Sequence, residues 1–379
     1  MRIAFNATAL LSPLTGIGQY AFELATRMAA DPAHELHCFY GLGWSQEVRT
    51  SPLPGVDKLF PWLRRLVPNS YGVSRFLQNR NFRRKAPAGR FDVYHEPNFL
   101  PFSFKGPLVT TVHDLSWIRY PEAHPVERVE AMTRYFEPGL RRATLVLTDS
   151  VFVKNEVVEV FGVDPARIIP IPLGVNPLFR PLQADETVDV MGKLGLRHGS
   201  YLLAVGTLEP RKNLVTALRA YAGLPSQHQD AFPLVVAGIK GWRTETLDQV
   251  LEPLVAAGKV RLTGYLEREE LARVIAGATA LVYPSIYEGF GLPPLEAMAC
   301  GVPTIVSNAA SLPEVVGDTG IVVSPHDTEA LRDAMLRMIE SSQLRQDLGA
   351  QALRRAGLFS WDACLEQTLG AYRRAIAMN

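Results

Sequence analysis

The chain has 379 residues, too many for one ordinary core and suited to two domains. A hydrophobic content of 47% and a charged content of 20% exclude wholesale disorder, and 39 basic against 38 acidic residues imply no polyanionic partner through net charge. Three widely spaced cysteines (Cys38, Cys300, Cys364) show neither C-x-x-C nor metal-ligand spacing, and no apolar run approaches the roughly 18 residues of a membrane span. Met1–Asn6 reads as a first strand rather than a leader, so the expectation is a cytoplasmic enzyme or binding protein.

Apolar runs ending in turn residues mark strands at Arg2–Ala7, Leu36–Tyr40, Val93–His95, Leu108–His113, Leu145–Asp149 and Ile168–Ile171. Helical spacing lies between them at Gln19–Ala29 and Val126–Arg141. The pattern restarts with strands at Tyr201–Val205, Leu234–Ala237, Val260–Thr263, Ala280–Tyr283, Thr304–Ser307 and Ile321–Val323, separated by helices Asn213–Ala222, Glu267–Ala276 and Thr328–Ile339. Such alternation predicts parallel sheets covered by helices, here an α/β chain of two doubly wound domains. The expected division is a first domain over 1–175, a linker over 176–199 and a second domain over 200–359. A helix over 360–379 follows. The linker reading rests on Pro172, Pro177, Pro181 and the polar Gln183–Asp189.

The densest chemical signal is Tyr287–Gly301. Gly289 and Gly291 precede a predicted helix with Pro293 and Pro294 in its first positions and Gly301 past its end. Glycine backbone and helix-terminal N–H groups of Phe290, Gly291 and Leu292 can approach an anion. Glu288 and Glu296 are acceptors suited to sugar hydroxyls. A capped helix with dipole-serving glutamates is the plainer alternative. Gly206–Asn213 is predicted to follow a strand's carboxyl end, where ligands of open α/β sheets bind. There Arg211 offers a planar fork and Lys212 a point charge; cations near a helix start are unfavourable unless an anion is present.

His113-Asp114 and His95-Glu96 end strands of the first half, where a histidine can bond a hydroxyl, move a proton, or simply be structural. Gly16-x-Gly18 matches a dinucleotide fingerprint in letters but lies too far from the first strand, and the second strand ends without an acid. A nicotinamide site is therefore not expected, although a phosphate near that helix start fits. No Asp-x-Asp, phosphate-loop or nucleophile-elbow motif occurs.

These residues resemble the retaining GT-B glycosyltransferases of family 4. Glu288 and Glu296 are similar to that family's E-x7-E motif, within Ser285–Pro293 and Ala297–Pro303. Glu209–Asn213, Ser311–Val315 and Gly317–Gly320 match it too. The resemblance is strong over 200–360 and looser over 1–175, where it rests on Gly16, Gly18 and His113-Asp114. It implies two Rossmann-like domains facing across a cleft, with the terminal helix returning to the first. By position it implies that Arg211 and Lys212 hold the donor diphosphate, with Gly206 beside them. Glu296 would bind ribose, and Glu288 would contact the donor sugar near the reacting centre. Gly289, Phe290, Gly291 and Leu292 would line phosphate or sugar, and Tyr265 and Leu266 would border the base. His113 would face the sugar from the other domain, beside Asp114, with Gly16 and Gly18 near phosphate or acceptor.

The resemblance further implies metal-independent transfer with retention, no cofactor beyond the nucleotide diphosphate sugar, and a leaving phosphate that assists the incoming hydroxyl. The second half looks most like bacterial mannosyl- or deoxymannosyltransferases using GDP-linked sugars. UDP- or dTDP-sugar use and a sugar-nucleotide epimerase are the alternatives. The implied partners are a nucleotide sugar and a glycan or lipid-linked acceptor of polysaccharide or O-antigen synthesis, not nucleic acid.

Charge is uneven: residues 1–180 hold 21 Lys and Arg against 16 Asp and Glu, leaving 18 against 22 for the rest. Nine basic residues (Lys58, Arg64, Arg65, Arg75, Arg80, Arg83, Arg84, Lys85, Arg90) meet no acid over 58–90. Aromatic and aliphatic residues are interleaved with them. This composition fits docking on anionic lipid head groups at the inner membrane face; the plainer reading is a solvated helix pair covering the core.

Overall fold

In a computed structural model the structure describes residues 1–12, 14, 16–50, 70–86, 89–239, 241 and 245–379. The chain divides into two compact units: Met1–Gly174 with Trp361–Asn379, and Val175–Ser360.

The first unit is built on a seven-stranded sheet of order β3-β2-β1-β4-β5-β6-β7. Its strands are β1 (Arg2–Asn6), β2 (Glu35–Phe39), β3 (Trp44–Ser45), β4 (Val93–Glu96), β5 (Leu108–Val112), β6 (Leu145–Thr148) and β7 (Ile168–Pro170). All neighbours pair in parallel except the short edge strand β3. Strands buried on both faces explain the near-continuous apolar runs. Phe39, Phe82, Tyr94, Phe102 and Phe136 dominate a core on one side. The terminal helix Trp361–Ala377 belongs to this unit, where the Tyr372 hydroxyl lies 2.6 Å from Nδ1 of His95 and Arg27 pairs with Asp362 at 2.8 Å.

The second unit is a six-stranded parallel sheet of order β10-β9-β8-β11-β12-β13. The strands are β8 (Leu202–Val205), β9 (Leu234–Ala237), β10 (Val260–Gly264), β11 (Ala280–Tyr283), β12 (Thr304–Ser307) and β13 (Ile321–Val323). Within the unit this is the 3-2-1-4-5-6 order of a doubly wound fold. Its switch point lies between β8 and β11, which pair Leu202 with Ala280 and Leu203 with Leu281. Gly238, after β9, has φ +155°, and a Cβ there would sit 2.0 Å from the Gly206 carbonyl oxygen, so only glycine lets these strand ends converge.

One expectation changes. The polar stretch Gln183–Asp189 is not linker: it opens the helix Ala184–Leu194, with a reciprocal capping box between Gln183 and Glu186. Thr187, Val190 and Met191 on one face are buried, and that apolar stripe outweighs the polar composition. In the basic segment, Lys58, Arg64 and Arg65, with Phe60, Trp62, Leu63 and Leu66, lie outside the described residues. Its described part is the helix Ser70–Lys85, Ala86, Gly89 and Arg90. Phe82 enters the core, whereas Phe76 and Leu77 are exposed.

Candidate functional site

The site is assembled at the switch point of the second sheet. From the end of β8 the chain passes through Gly206 into a tight turn, Pro210–Lys212, closed by Asn213 in the left-handed region at φ 55°. The Asn213 amide donates to the carbonyls of Pro284 (3.0 Å) and Pro325 (2.7 Å), tying this turn to the segments after β11 and β13. Beyond β11, Ser311 Oγ donates to the carbonyls of Glu288 (2.9 Å) and Phe290 (2.7 Å). That fixes the loop leading to Gly291, the N-cap at φ 116°, and to the helix Leu292–Ala299.

These two anchored segments bring Arg211, Lys212 and Glu288 together. Lys212 Nζ donates to Glu288 Oε1 and to the Tyr283 hydroxyl, both at 2.7 Å, and that hydroxyl donates to the same carboxylate oxygen at 2.9 Å. Arg211 donates to Glu288 Oε2 (3.2 Å), the Tyr287 carbonyl (2.8 Å) and Glu209 (2.7 Å). Gly206, Thr207, Lys212, Tyr283 and Pro284 line a small cavity beside this cluster. Burial alone would push the Glu288 carboxyl up, but the charges of Lys212 and Arg211 outweigh it and hold it down at about 2. Glu288 is thus a permanent carboxylate at any physiological pH, an electrostatic and hydrogen-bonding group rather than a proton donor. For Lys212 burial prevails over Glu288, and its pKa lies below the ordinary lysine value.

The cluster corrects one inference from the sequence. Cations at a helix start do require an anion, but Glu209 and Glu288 already supply one each, so Arg211 and Lys212 are balanced without a ligand. Lys212 has three N–H donors and makes two hydrogen bonds, which leaves one for an incoming oxygen.

Glu296 lies on the helix after Gly291. Burial pushes its carboxyl up to about 7, offset only in part by Arg268, whose Nη2 lies 3.4 Å away. Tyr265 is exposed and Leu266 half-buried, immediately beyond β10. Gly289, Phe290, Gly291 and Leu292 form the turn into the helix, with Phe290 buried. A Cβ at Gly291 would lie 2.8 Å from Leu312 Cδ2.

In the first unit Gly16 and Gly18 stand in the first turn of the helix Gly16–Ala30. His113 and Asp114 follow β5. His113 is buried, with Nδ1 2.8 Å from Asp149 Oδ2 and Nε2 2.8 Å from the Pro97 carbonyl oxygen. His95 resolves as a structural residue: fully buried, bonded to Thr111 (2.8 Å) and Tyr372, and driven down to about 3 by burial and then by His113. Sequence reasoning missed Tyr283, Asp149 and Arg268. Tyr283 was legible as the last residue of its strand, whereas Asp149 acquires a partner only through strand pairing.

The family descriptions "Glycosyl transferases group 1" and "Glycosyltransferase Family 4" match residues 192–355 and 14–178. Among solved structures, sucrose-phosphate synthase from Thermosynechococcus elongatus is similar with a TM-score of 0.73 at 20% identity, covering 100% of each chain. WaaG, a glycosyltransferase involved in lipopolysaccharide biosynthesis, gives 0.72 at 18% identity, covering 97% of this chain and 98% of its own. With the two mostly parallel sheets, these likenesses define the GT-B fold. The "O-antigen chain mannosyltransferase B" of Escherichia coli is 37% identical over 98% of this chain and 100% of its own length. The chain belongs to glycosyltransferase family 4 (group 1) and is a glycosyltransferase enzyme. Among the described residues no helix is long and apolar enough to cross a membrane.

Proposed function

We propose that the protein transfers a mannose- or deoxymannose-type hexose from a GDP-linked donor to a glycan or lipid-linked acceptor in O-antigen synthesis. Transfer retains the anomeric configuration and needs no metal. The sugar and pathway are supported by the relative named O-antigen chain mannosyltransferase B, similar over nearly the whole chain. The observation that carries the reading is the joining of Arg211, Lys212 and Glu288 at the carboxyl ends of β8 and β11.

In this reading Lys212 and Arg211 share their charge between Glu288 and the leaving nucleoside diphosphate, which departs with the electron pair of the C1–O bond. The acceptor hydroxyl forms the new C1–O bond on the same face and passes its proton to a phosphate oxygen of the leaving group. Ionised Glu288 accepts a donor-sugar hydroxyl, Glu296 takes the ribose hydroxyls, and Tyr265 and Leu266 border the base. The N–H groups of Phe290, Gly291 and Leu292 face phosphate or sugar, and His113 serves the donor sugar. Glu288→Ala should lower transfer by about 10²–10³-fold, as loss of a preorganised electrostatic group does, while nucleoside-diphosphate affinity changes far less. Equal losses in both would remove Glu288 from the sugar's side.

The helix Ser70–Lys85 supports working at an anionic membrane face. It carries Arg75, Arg80, Arg83, Arg84 and Lys85 without an acid, and it exposes Phe76 and Leu77. Binding to vesicles rich in anionic lipid should fall when Arg80, Arg83 and Arg84 are neutralised; unchanged binding sinks this part.

A further inference from the structure

His113 and Asp149 are neighbours by strand register. β5 and β6 pair Val112 with Thr148, so the residue following each strand stands beside the other. Asp149 is buried as deeply as His113, and Ser150 beyond it caps the next helix by accepting from the N–H of Val153. The bonds that result leave the imidazole little choice. Nε2 faces a carbonyl oxygen, which cannot donate, so it carries a hydrogen. Nδ1 faces a buried carboxyl oxygen at 2.8 Å, and an ionised Asp149 there requires a hydrogen on Nδ1 as well.

Burial raises the Asp149 carboxyl above its ordinary value, the charge and hydrogen bond of His113 pull against that, and Asp114 adds to it. Asp114, the next residue in the chain, is occupied by Ser116, whose N–H and hydroxyl donate to it at 2.9 and 2.6 Å. From β4, His95 is held by Thr111 and Tyr372 and stays neutral. From the helix Gly16–Ala30, Tyr20 packs edge-on at 5.0 Å between ring centroids, and Phe99 does so at 5.5 Å. From the terminal helix the Cys364 thiol feels Asp149, being pushed up to about 12 by burial and then by Asp149's own charge. Burial opposes a charge on His113, but Asp149 prevails and raises its pKa above the ordinary histidine value.

We propose that Asp149 is a positioning residue that keeps His113 as an imidazolium, so that His113 acts as a fixed, charged hydrogen-bond donor and not as a base. An oxygen of the substrate that takes the place of the Pro97 carbonyl meets a positively charged N–H. The role in transfer rests on the reading of His113 under Proposed function; the protonation state does not.

The test is nitrogen NMR of the full chain with ¹⁵N-labelled histidine, the His113 signals being assigned by their loss in His113→Gln. Both ring nitrogens should carry protons at pH 7, where an ordinary histidine is mostly neutral. A bare ring nitrogen on His113 at pH 7 overturns the proposal, and this spectrum needs no variant of Asp149 to fold. Asp149→Asn should lower the His113 titration midpoint by at least about one pH unit. It should also cut transfer about tenfold or more, while the melting-temperature rise produced by nucleoside diphosphate stays as in the parent. A midpoint unchanged in a folded Asp149→Asn variant overturns the positioning role. A protonated His113 whose replacement by Gln leaves transfer intact removes His113 from the reaction and leaves the proton assignment standing.

Discussion

The two sheets place a buried glutamate at equivalent points, and the two carboxyls behave in opposite ways. Glu96 ends β4, beside β1 at the switch point of the first sheet. Glu288 lies just beyond β11, beside β8 at that of the second. Glu96 accepts from Asn6 and the Tyr94 hydroxyl at 2.7 Å each and from the Asn98 N–H at 3.1 Å, all uncharged donors. Burial therefore prevails and pushes it up to about 7. Glu288 is buried to a similar degree, yet Lys212 and Arg211 hold it at about 2. Position in the fold does not decide whether a switch-point carboxylate is charged; its donors do.

Breaking that contrast should have its largest effect at Glu288. Glu288→Gln leaves Lys212 and Arg211 without their shared counter-charge and should destabilise the fold at pH 7 by about 3 kcal/mol, read from denaturant unfolding. The pH dependence has a definite sign. A depressed carboxyl stabilises above its unfolded value near 4.5, and Glu288's share is lost as pH falls from there toward 2. Glu96→Gln should be a smaller change that varies with pH. A raised carboxyl loses stability as pH climbs from about 4.5 through about 7, so the variant should gain on the parent across that range. Parallel curves for parent and Glu96→Gln between pH 5 and 8 would mean that Glu96 ionises normally.

Much of this was legible from the residues alone. Strands of both sheets are apolar runs bounded by turn residues, and their observed limits differ by a residue or two at most. Glu288, Arg211 and Lys212 announced themselves because glycine, proline and charge cluster at two strand ends. The helix Ala184–Leu194 was hidden by its polarity, although the Gln183–Glu186 capping box and the spacing of Thr187, Val190 and Met191 were in the letters. The two-residue strand β3 is too short to have a period. His95 and His113 look alike in sequence, each followed by an acid after an apolar run. What separates them is long-range: a partner 277 residues away for His95, and the strand register that brings Asp149 to His113.

In the proposed reading, Arg211 and Lys212, held in place by Glu288, form the cradle of a nucleoside diphosphate. Its most direct test is the melting temperature of the full chain with GDP, UDP, dTDP or ADP in large excess, with and without Lys212→Ala and with a chelator present throughout. A ligand at about 100 times its Kd adds about 2.7 kcal/mol of stability to the state that binds it. The melting temperature should rise by several degrees, most with GDP, in the presence of the chelator, and the rise should be lost in Lys212→Ala. No rise with any of the four, or a rise that Lys212→Ala leaves untouched, would contradict the cradle.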